Sequence, residues 1–294
     1  MSGRQGARGR AACQAGFRPR GHSVHIAVLT WQIITCLLLP LGRLAEDERS
    51  SDSSAARVDD ILTRLQNRSD GLSDIRCEVT LTDDDRINLA KGVKKGRVLL
   101  LMAEPNPLFL VHFEKTETEG VAGKQEWYLF DGRWLHQGIE RLKQVTRQEL
   151  VAEGQKIDLF DIEKAPFPLP FGHKKENILR NFDVTLLSPA AGDPPDTEHL
   201  LCNPKPESRL ARRYNQLDLY VNKKFNLPTR IVVTKNNGLE IGTADFPDLS
   251  AHSINAGVTR KDFALPEAWK KYEVVVEELA PDEKPAPWGE PRGD

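Results

Sequence analysis

The sequence predicts a mainly β protein with a few helices, built on a curved antiparallel sheet, and three observations lead to this fold class. Apolar and polar residues alternate over 75–81, which is the pattern of a half-buried strand. Asp131 with Gly132 and Asn237 with Gly238 are typical two-residue hairpin turns. Several runs are apolar on both faces, and a single flat sheet would leave one of those faces in water. Helices on one face, or a curved sheet that encloses something, would cover it.

The predicted elements follow one another at short intervals. Apolar residues at helical spacing predict a short amphipathic helix near 58–65, and further helices are expected at 147–153 and 175–181. The Pro residues of 165–172 remove backbone donors, so this segment is expected to be an irregular apolar loop that packs on the sheet. Strands are predicted at 75–81, 96–102, 108–115, 126–130, 133–136, 141–145, 183–187, 199–202, 216–221, 227–234 and 239–246, and 262–266 closes the series.

Apolar side chains on the second face of these strands are the candidate functional residues. The predicted helices are too few to cover that whole face, and apolar side chains are the usual lining of a small-molecule cavity. Ordinary core is the alternative for each of them, since aromatic residues dominate protein cores in any case. The candidate lining of a hydrophobic ligand cavity is Val98, Leu100, Phe109, Val111, Phe113, Trp127 and Ile231.

The front of the chain predicts export. Residues 1–45 contain six Arg and no acid, and a mostly apolar run over 26–41 is shorter than a membrane-spanning helix requires. We therefore expect a signal peptide over 1–45, with an uncleaved membrane anchor as the alternative. A flexible acidic, Ser-rich linker over 46–57, a single domain over 58–280 and a Pro-rich disordered tail over 281–294 follow.

Charge and chemistry narrow the function classes. Beyond residue 45, 35 basic residues face 43 acidic ones, and this acidic body without a basic stripe argues against a nucleic-acid partner. Cys77 and Cys202 are predicted to be buried thiols rather than a disulfide. No catalytic, phosphate-binding or calcium-loop spacing is present, and the His residues are scattered, so we expect neither an enzyme nor a metal or other cofactor. An enzyme with a scattered site is the weaker alternative.

Several short motifs in a fixed order carry a family resemblance. They are Gly96-x-Val98-x-Leu100 ending near Pro105, Asp131-Gly132, Gln144-Val145-Thr146, Cys202-Asn203-Pro204-Lys205, Leu227-Pro228-Thr229-Arg230-Ile231, and Asp262-Phe263 with Pro266. Over roughly 58–270 the chain resembles the LolA-like periplasmic lipoprotein carriers and outer-membrane lipoprotein-sorting proteins. The segment 108–113 lacks the Arg that the family has in this strand, so the resemblance concerns the fold more than the cargo.

The resemblance implies an incompletely closed, eleven-stranded β-barrel with a helical lid and an apolar cavity that shields acyl chains. It implies a monomeric periplasmic carrier whose partners are lipid or lipoprotein acyl chains and a membrane-bound donor or acceptor protein. The alternative function is that of RseB-like proteins, in which the same cavity serves a lipid-responsive sensor of an envelope-stress system.

Overall fold

The fold is known from a computed structural model that describes residues 42–158, 160 and 171–279, with side chains from residue 53 onward. Residues 44–294 form one compact unit. The apolar run of the predicted signal peptide and the predicted tail 281–294 lie outside the described residues, as do residues 165–170 of the predicted Pro-rich loop. No helix in the described ranges is long and apolar enough to cross a membrane.

Within the described ranges, two α-helices, α1 (Gly42–Asp70) and α2 (Lys175–Asn181), accompany one large sheet. Short 3-10 helices lie at Arg209–Arg212, Ala251–Ser253, Arg260–Phe263 and Glu267–Lys271. The strands of the sheet are β1 Asp74–Asp85, β2 Ala90–Leu101, β3 Leu108–Thr118, β4 Val121–Ala122, β5 Glu126–Phe130, β6 Trp134–Ile139, β7 Gln144–Glu149, β8 Phe182–Leu187, β9 Thr197–Pro204, β10 Tyr214–Asn222, β11 Pro228–Lys235, β12 Glu240–Asp245 and β13 Glu273–Glu277.

The sheet runs in the order β13-β7-β6-β5-β3-β2-β1-β12-β11-β10-β9-β8, with β4 paired beside β3. Every strand pair is antiparallel except β13 with β7. Strands β13 and β8 form the two edges, so hydrogen bonds do not close the sheet within the described part of the chain. This confirms the predicted fold class, an incompletely closed β architecture, although the sheet has thirteen strands where the resemblance implied eleven.

Cross-strand partners share a face of the sheet, and this register divides the side chains into an inner and an outer set. On the inner face, α1 packs Ile61, Leu62 and Leu65 against Leu200 and Leu219 of β9 and β10. The helix therefore covers the inner face over β9 and β10, consistent with a helical lid.

Two Phe residues outside the strands and helices cover another part of the inner face. Phe160 and Phe171 are buried there against strand residues such as Cys77 and Phe109. Phe171 belongs to the loop that was predicted to pack on the sheet, and its ring lies 5.1 Å from that of Phe246. The lid of this protein is thus part helix and part loop.

The outer face of β2, β3 and β5 is covered by the C-terminal segment. Val258, Phe263 and Trp269 are buried against a group that includes Leu110 and Trp127. Because this segment shields the outer face, the apolar second face of these strands needs no further cover.

Three sequence predictions differ from the structure, and two strands were not predicted. The expected linker 46–57 lies within α1, and no Pro or Gly interrupts that stretch. Residues 147–149 of the expected helix 147–153 belong to β7 instead, because β6 and β13 pair with β7 on its two sides. The expected strand near 262–266 is a 3-10 helix at its start. Strands β4 and β13 were not predicted.

The two thiols agree with their prediction. Cys77 and Cys202 are free and buried, in separate parts of the core. Burial raises the pKa of both thiols above the ordinary value, so they stay protonated and pack as small apolar groups.

Candidate ligand-binding cavity

A cavity of about 250 Å³ lies on the inner face of the sheet. Its walls come from six neighbouring strands, β3, β2, β1, β12, β11 and β10, and side chains on one face can enclose a volume only if that face is concave. The lining consists of Val79, Leu81, Val98, Phe109, Val111, Phe113, His173, Leu217, Leu219, Ile231, Val233, Gly242, Ala244 and Phe246.

Small residues on β12 create the free volume. Ala244 lies between its cross-strand partners Leu81 on β1 and Ile231 on β11, and Gly242 lies two residues away on the same face. A Cβ atom at Gly242 would meet nothing closer than the Asp83 carboxylate, at 3.7 Å. Larger side chains at these two positions would fill the space, so the cavity exists because β12 carries almost no side-chain volume here.

The structure brings five of the seven candidate residues together at this cavity: Val98, Phe109, Val111, Phe113 and Ile231. Leu100 faces the same side but is only 1% exposed and packs in the core beyond the cavity. That these residues bind a ligand stays a prediction.

Trp127 is placed on the opposite face, which corrects its assignment to the cavity. Its neighbours across the strands are His112 and Gly138, and its ring stacks on His112 at 4.9 Å. Trp269 contacts the same ring edge-on at 5.9 Å. On β5, the side chains of Tyr128 and Phe130 face inward instead. Both faces of β5 are apolar, so the sequence does not indicate which face of this strand borders the cavity.

Several lining residues were not among the candidates. The alternation of Leu217 and Leu219 along β10 was visible in the sequence and could have suggested them. Gly242 and Ala244 carry no such signal, because small residues in a strand are as compatible with close packing as with a cavity. Their role depends on what the neighbouring strands place around them.

A charged group lies at one margin of the cavity. The Lys94 ammonium is 5.8 Å from the centre of the Phe113 ring and 2.9 Å from a carboxylate oxygen of Glu126. Burial acts most strongly and would lower the pKa of Lys94, but the hydrogen bond and charge of Glu126 outweigh it and raise the pKa above the usual value. Lys94 is therefore a half-buried cation beside an apolar wall.

The lining of the cavity is almost entirely apolar. Among the described residues of the lining, His173 carries the single polar side chain, and its Nδ1 atom is 3.5 Å from the carbonyl oxygen of Phe160. No described group of three or more His, Cys, Asp or Glu residues could hold a metal ion. This surface can exclude water from a hydrocarbon group. A second, larger groove of about 490 Å³ is lined by charged residues, among them Arg76, Glu78 and Arg97. Such walls favour water over hydrocarbon, so this groove does not suit an apolar ligand.

Comparison with known proteins gives similarity in fold at low identity. No family model matches the chain, and no curated protein does. A putative outer membrane lipoprotein-sorting protein domain from Vibrio parahaemolyticus is 14% identical, with a TM-score of 0.35, over 69% of this chain and 94% of that one. The LolA superfamily protein NE2245 from Nitrosomonas europaea is 14% identical, with a TM-score of 0.32, over 70% and 97%.

The third structure is a complex of MucA and MucB from Pseudomonas aeruginosa. It is 15% identical, with a TM-score of 0.35, over 71% of this chain and 61% of that one. At such identities and scores, similarity says nothing about the ligand of this chain. Solved structures of the LolA superfamily and of lipoprotein-sorting proteins, the class that the sequence resembles, are nevertheless among its structural neighbours.

Proposed function

We propose that this protein is an exported carrier that shields an acyl chain of a lipid or lipoprotein in its inner-face cavity. The observation that carries the proposal is the lining itself: within the described residues, thirteen of its fourteen members have no polar side-chain atom. A cavity with such walls gains little by holding water and much by holding hydrocarbon.

The size of the cavity favours a single chain. Its 250 Å³ lies just below the range of about 300–1,000 Å³ that is typical of pockets for drug-sized ligands. Each methylene removed from water contributes about 0.8 kcal/mol, so ten buried methylenes contribute about 8 kcal/mol before the cost of association. After the cost of association is subtracted, binding of a fatty-acid probe should be weaker than this gross value of about 8 kcal/mol, with a dissociation constant of about 1 μM or higher.

Such a carrier needs no bond to be made or broken. Release requires only a partner that favours a state in which the lid is displaced, and a membrane-bound acceptor could supply that difference in affinity. The predicted signal peptide supports export to the periplasm, where acyl chains would have to cross water. A lipid-responsive sensor would need the same cavity, so the experiment below tests the step that both functions share.

The test uses two Phe substitutions on neighbouring positions of β12. Ala244→Phe places an aromatic ring in the cavity, whereas Thr243→Phe places the same ring on the outer face of the same strand. Titration with a fluorescent fatty acid should show at least tenfold weaker binding for Ala244→Phe and wild-type binding for Thr243→Phe.

A thermal melt of each variant provides the control for folding. Ala244→Phe should keep the wild-type melting temperature or exceed it, since the ring fills existing space. Unchanged probe affinity in a folded Ala244→Phe variant would contradict the proposal. Mass spectrometry of lipids that copurify with the wild-type protein, and are lost from Ala244→Phe, would identify the class of cargo.

A further inference from the structure

Three hairpin turns meet at one end of the sheet and expose apolar side chains there. They connect β1 to β2, β3 to β4 and β11 to β12, and we name this end the hairpin rim. The backbone N–H of Arg86 donates to the carbonyl of Leu239 at 3.0 Å, which joins the first turn to the third. The N–H of Glu119 donates to the carbonyl of Lys91 at 3.1 Å, which joins the second turn to the first.

The apolar exposure of the rim is unusual within the described chain. Its members are Ile87, Leu89, Val121 and Leu239, which are 55%, 85%, 70% and 46% exposed. The first three are the most exposed large hydrophobic residues of the described part. Scattered apolar residues on a surface need no explanation, but this cluster lies in turns and in the two-residue strand β4 that follows one of them, where polar residues are usual.

The turns hold these side chains outward in a fixed position. The Asp85 carboxylate accepts hydrogen bonds from the N–H groups of Ile87 and Asn88 at 2.9 and 3.0 Å, and from the Asn88 side chain at 2.7 Å. The side-chain oxygen of Asn237 likewise accepts from the N–H of Leu239 at 3.0 Å. Polar side chains therefore order the turns, and the apolar ones are left without a packing role.

Leu89 adds an independent observation. Its φ of 54° lies in the left-handed region, which Asn and Gly adopt readily and a branched apolar residue adopts at a cost. An exposed Leu in this conformation contributes nothing to packing and strains the turn. Its presence is explained if the side chain inserts into an apolar phase outside the protein.

We propose that the hairpin rim inserts its apolar side chains into the surface of a lipid bilayer. Separate protruding tips suit a deformable medium better than the flat or concave surface of a protein partner. The cavity-lining strands β1, β11 and β12 run directly to these turns, and Leu239 is only three residues, about 10 Å, from Gly242. A bilayer is also the store of acyl chains, so the choice of a bilayer rests on the proposed function.

The charges of the rim specify the kind of bilayer. Acidic and basic residues there balance: Asp83, Asp84, Asp85, Glu117, Glu119 and Glu240 stand against Arg86, Lys91, Lys124, Lys235, and Arg212 and Arg213, which lie beside Asn236 of the third turn. Arg86 and Lys235 are moreover paired with Asp84 and Glu240. Anionic headgroups would gain nothing from this surface, so insertion should proceed equally well with zwitterionic lipid and depend little on salt.

The experiment measures insertion at the rim itself, because the apolar leader of the full chain could bind vesicles independently. Cys13 and Cys36 are changed to Ser in the full-length protein, and an environment-sensitive fluorophore is attached at Val121→Cys. Phosphatidylcholine vesicles should shift its emission to the blue, and nitroxide-labelled lipids should quench it. A fluorophore at Val274→Cys on β13, where Val274 is 50% exposed, is the matched control and should not respond.

A second pair of variants tests the side chains. Ile87→Ser with Leu89→Asn should raise the vesicle concentration needed for half-maximal quenching at least tenfold, while Val276→Ser should leave it unchanged. Asn is favoured at φ 54°, so the melting temperature of the rim variant should not fall. Fatty-acid binding without vesicles should stay at the wild-type value in the rim variant, which separates failure of this proposal from failure of the carrier function.

Absence of a fluorescence response at position 121 would overturn the proposal and would favour a protein partner. An equal response at position 274 would also overturn it. A response that requires anionic lipid would overturn the insertion mechanism as well, because it would show that charge and not apolar contact drives binding.

Discussion

Gly138 on β6 offers the sharpest test of how the outer face is sealed. A Cβ atom built on Gly138 would lie 2.3 Å from Cζ2 and 2.5 Å from Cε2 of Trp269, far inside van der Waals contact. Trp269 is 6% exposed and cannot withdraw easily, because it also contacts Trp127 edge-on at 5.9 Å. Gly138→Ala should therefore displace the indole and with it the C-terminal segment that covers the outer face.

The magnitude follows from two opposing effects. Overpacking of a well-packed site costs about 1–3 kcal/mol, whereas replacing a strand Gly by Ala returns roughly 0.5–1 kcal/mol. The net expectation is a loss of about 0.5–2 kcal/mol of unfolding free energy. In a Trp269→Ala background, which itself costs about 3–5 kcal/mol, the clash is absent and Gly138→Ala should be neutral or stabilising.

The assay is a double-mutant cycle by urea unfolding, followed by far-UV circular dichroism so that loss of a Trp does not affect the signal. Fatty-acid binding by the folded protein should be unaffected, since Gly138 and the cavity lie on opposite faces. Equal destabilisation by Gly138→Ala in both backgrounds would refute the reasoning, because the cost would then come from the strand and not from contact with Trp269.

Two further outcomes are expected. Lys94→Met should weaken binding of a fatty acid about tenfold, equivalent to about 1.4 kcal/mol, but leave binding of the matching fatty alcohol unaffected. The reason is that Lys94 is the cation beside the cavity wall, and its removal leaves Glu126 there as an anion. Equal losses of affinity for both ligands would contradict this. Burial would raise the pKa of Asp131, but hydrogen bonds from His136 and the backbone of Trp134 outweigh it and lower the pKa. Asp131 should therefore stabilise the fold above its unfolded-state pKa of about 3.9 and lose this contribution as pH falls through the lower folded-state value. Asp131→Asn should make urea unfolding less dependent on pH in that acidic window, and an identical acid dependence would show that another carboxyl controls it.

The local pattern of the sequence determined most strands, the turns at Gly132 and Gly238, and α2 over its whole length. Alternation and turn chemistry are properties of neighbouring residues, so they can be recognised before the chain folds. The same information indicated that some strands are apolar on both faces and that Cys77 and Cys202 pack as thiols. It also indicated that Phe109, Val111 and Phe113 share one face of the sheet, because β3 presents them in strict alternation.

The tertiary structure alone decided which apolar face encloses space and which is covered. Trp127 and Phe113 look alike in the sequence, yet the C-terminal segment covers Trp127 on the outer face, while Phe113 borders the cavity. The pairing of β13 with β7, the free volume above Gly242 and the meeting of three turns at the hairpin rim join residues that lie far apart in the chain. No local pattern encodes such encounters, because they depend on how the whole sheet curves and on which segments return to cover it.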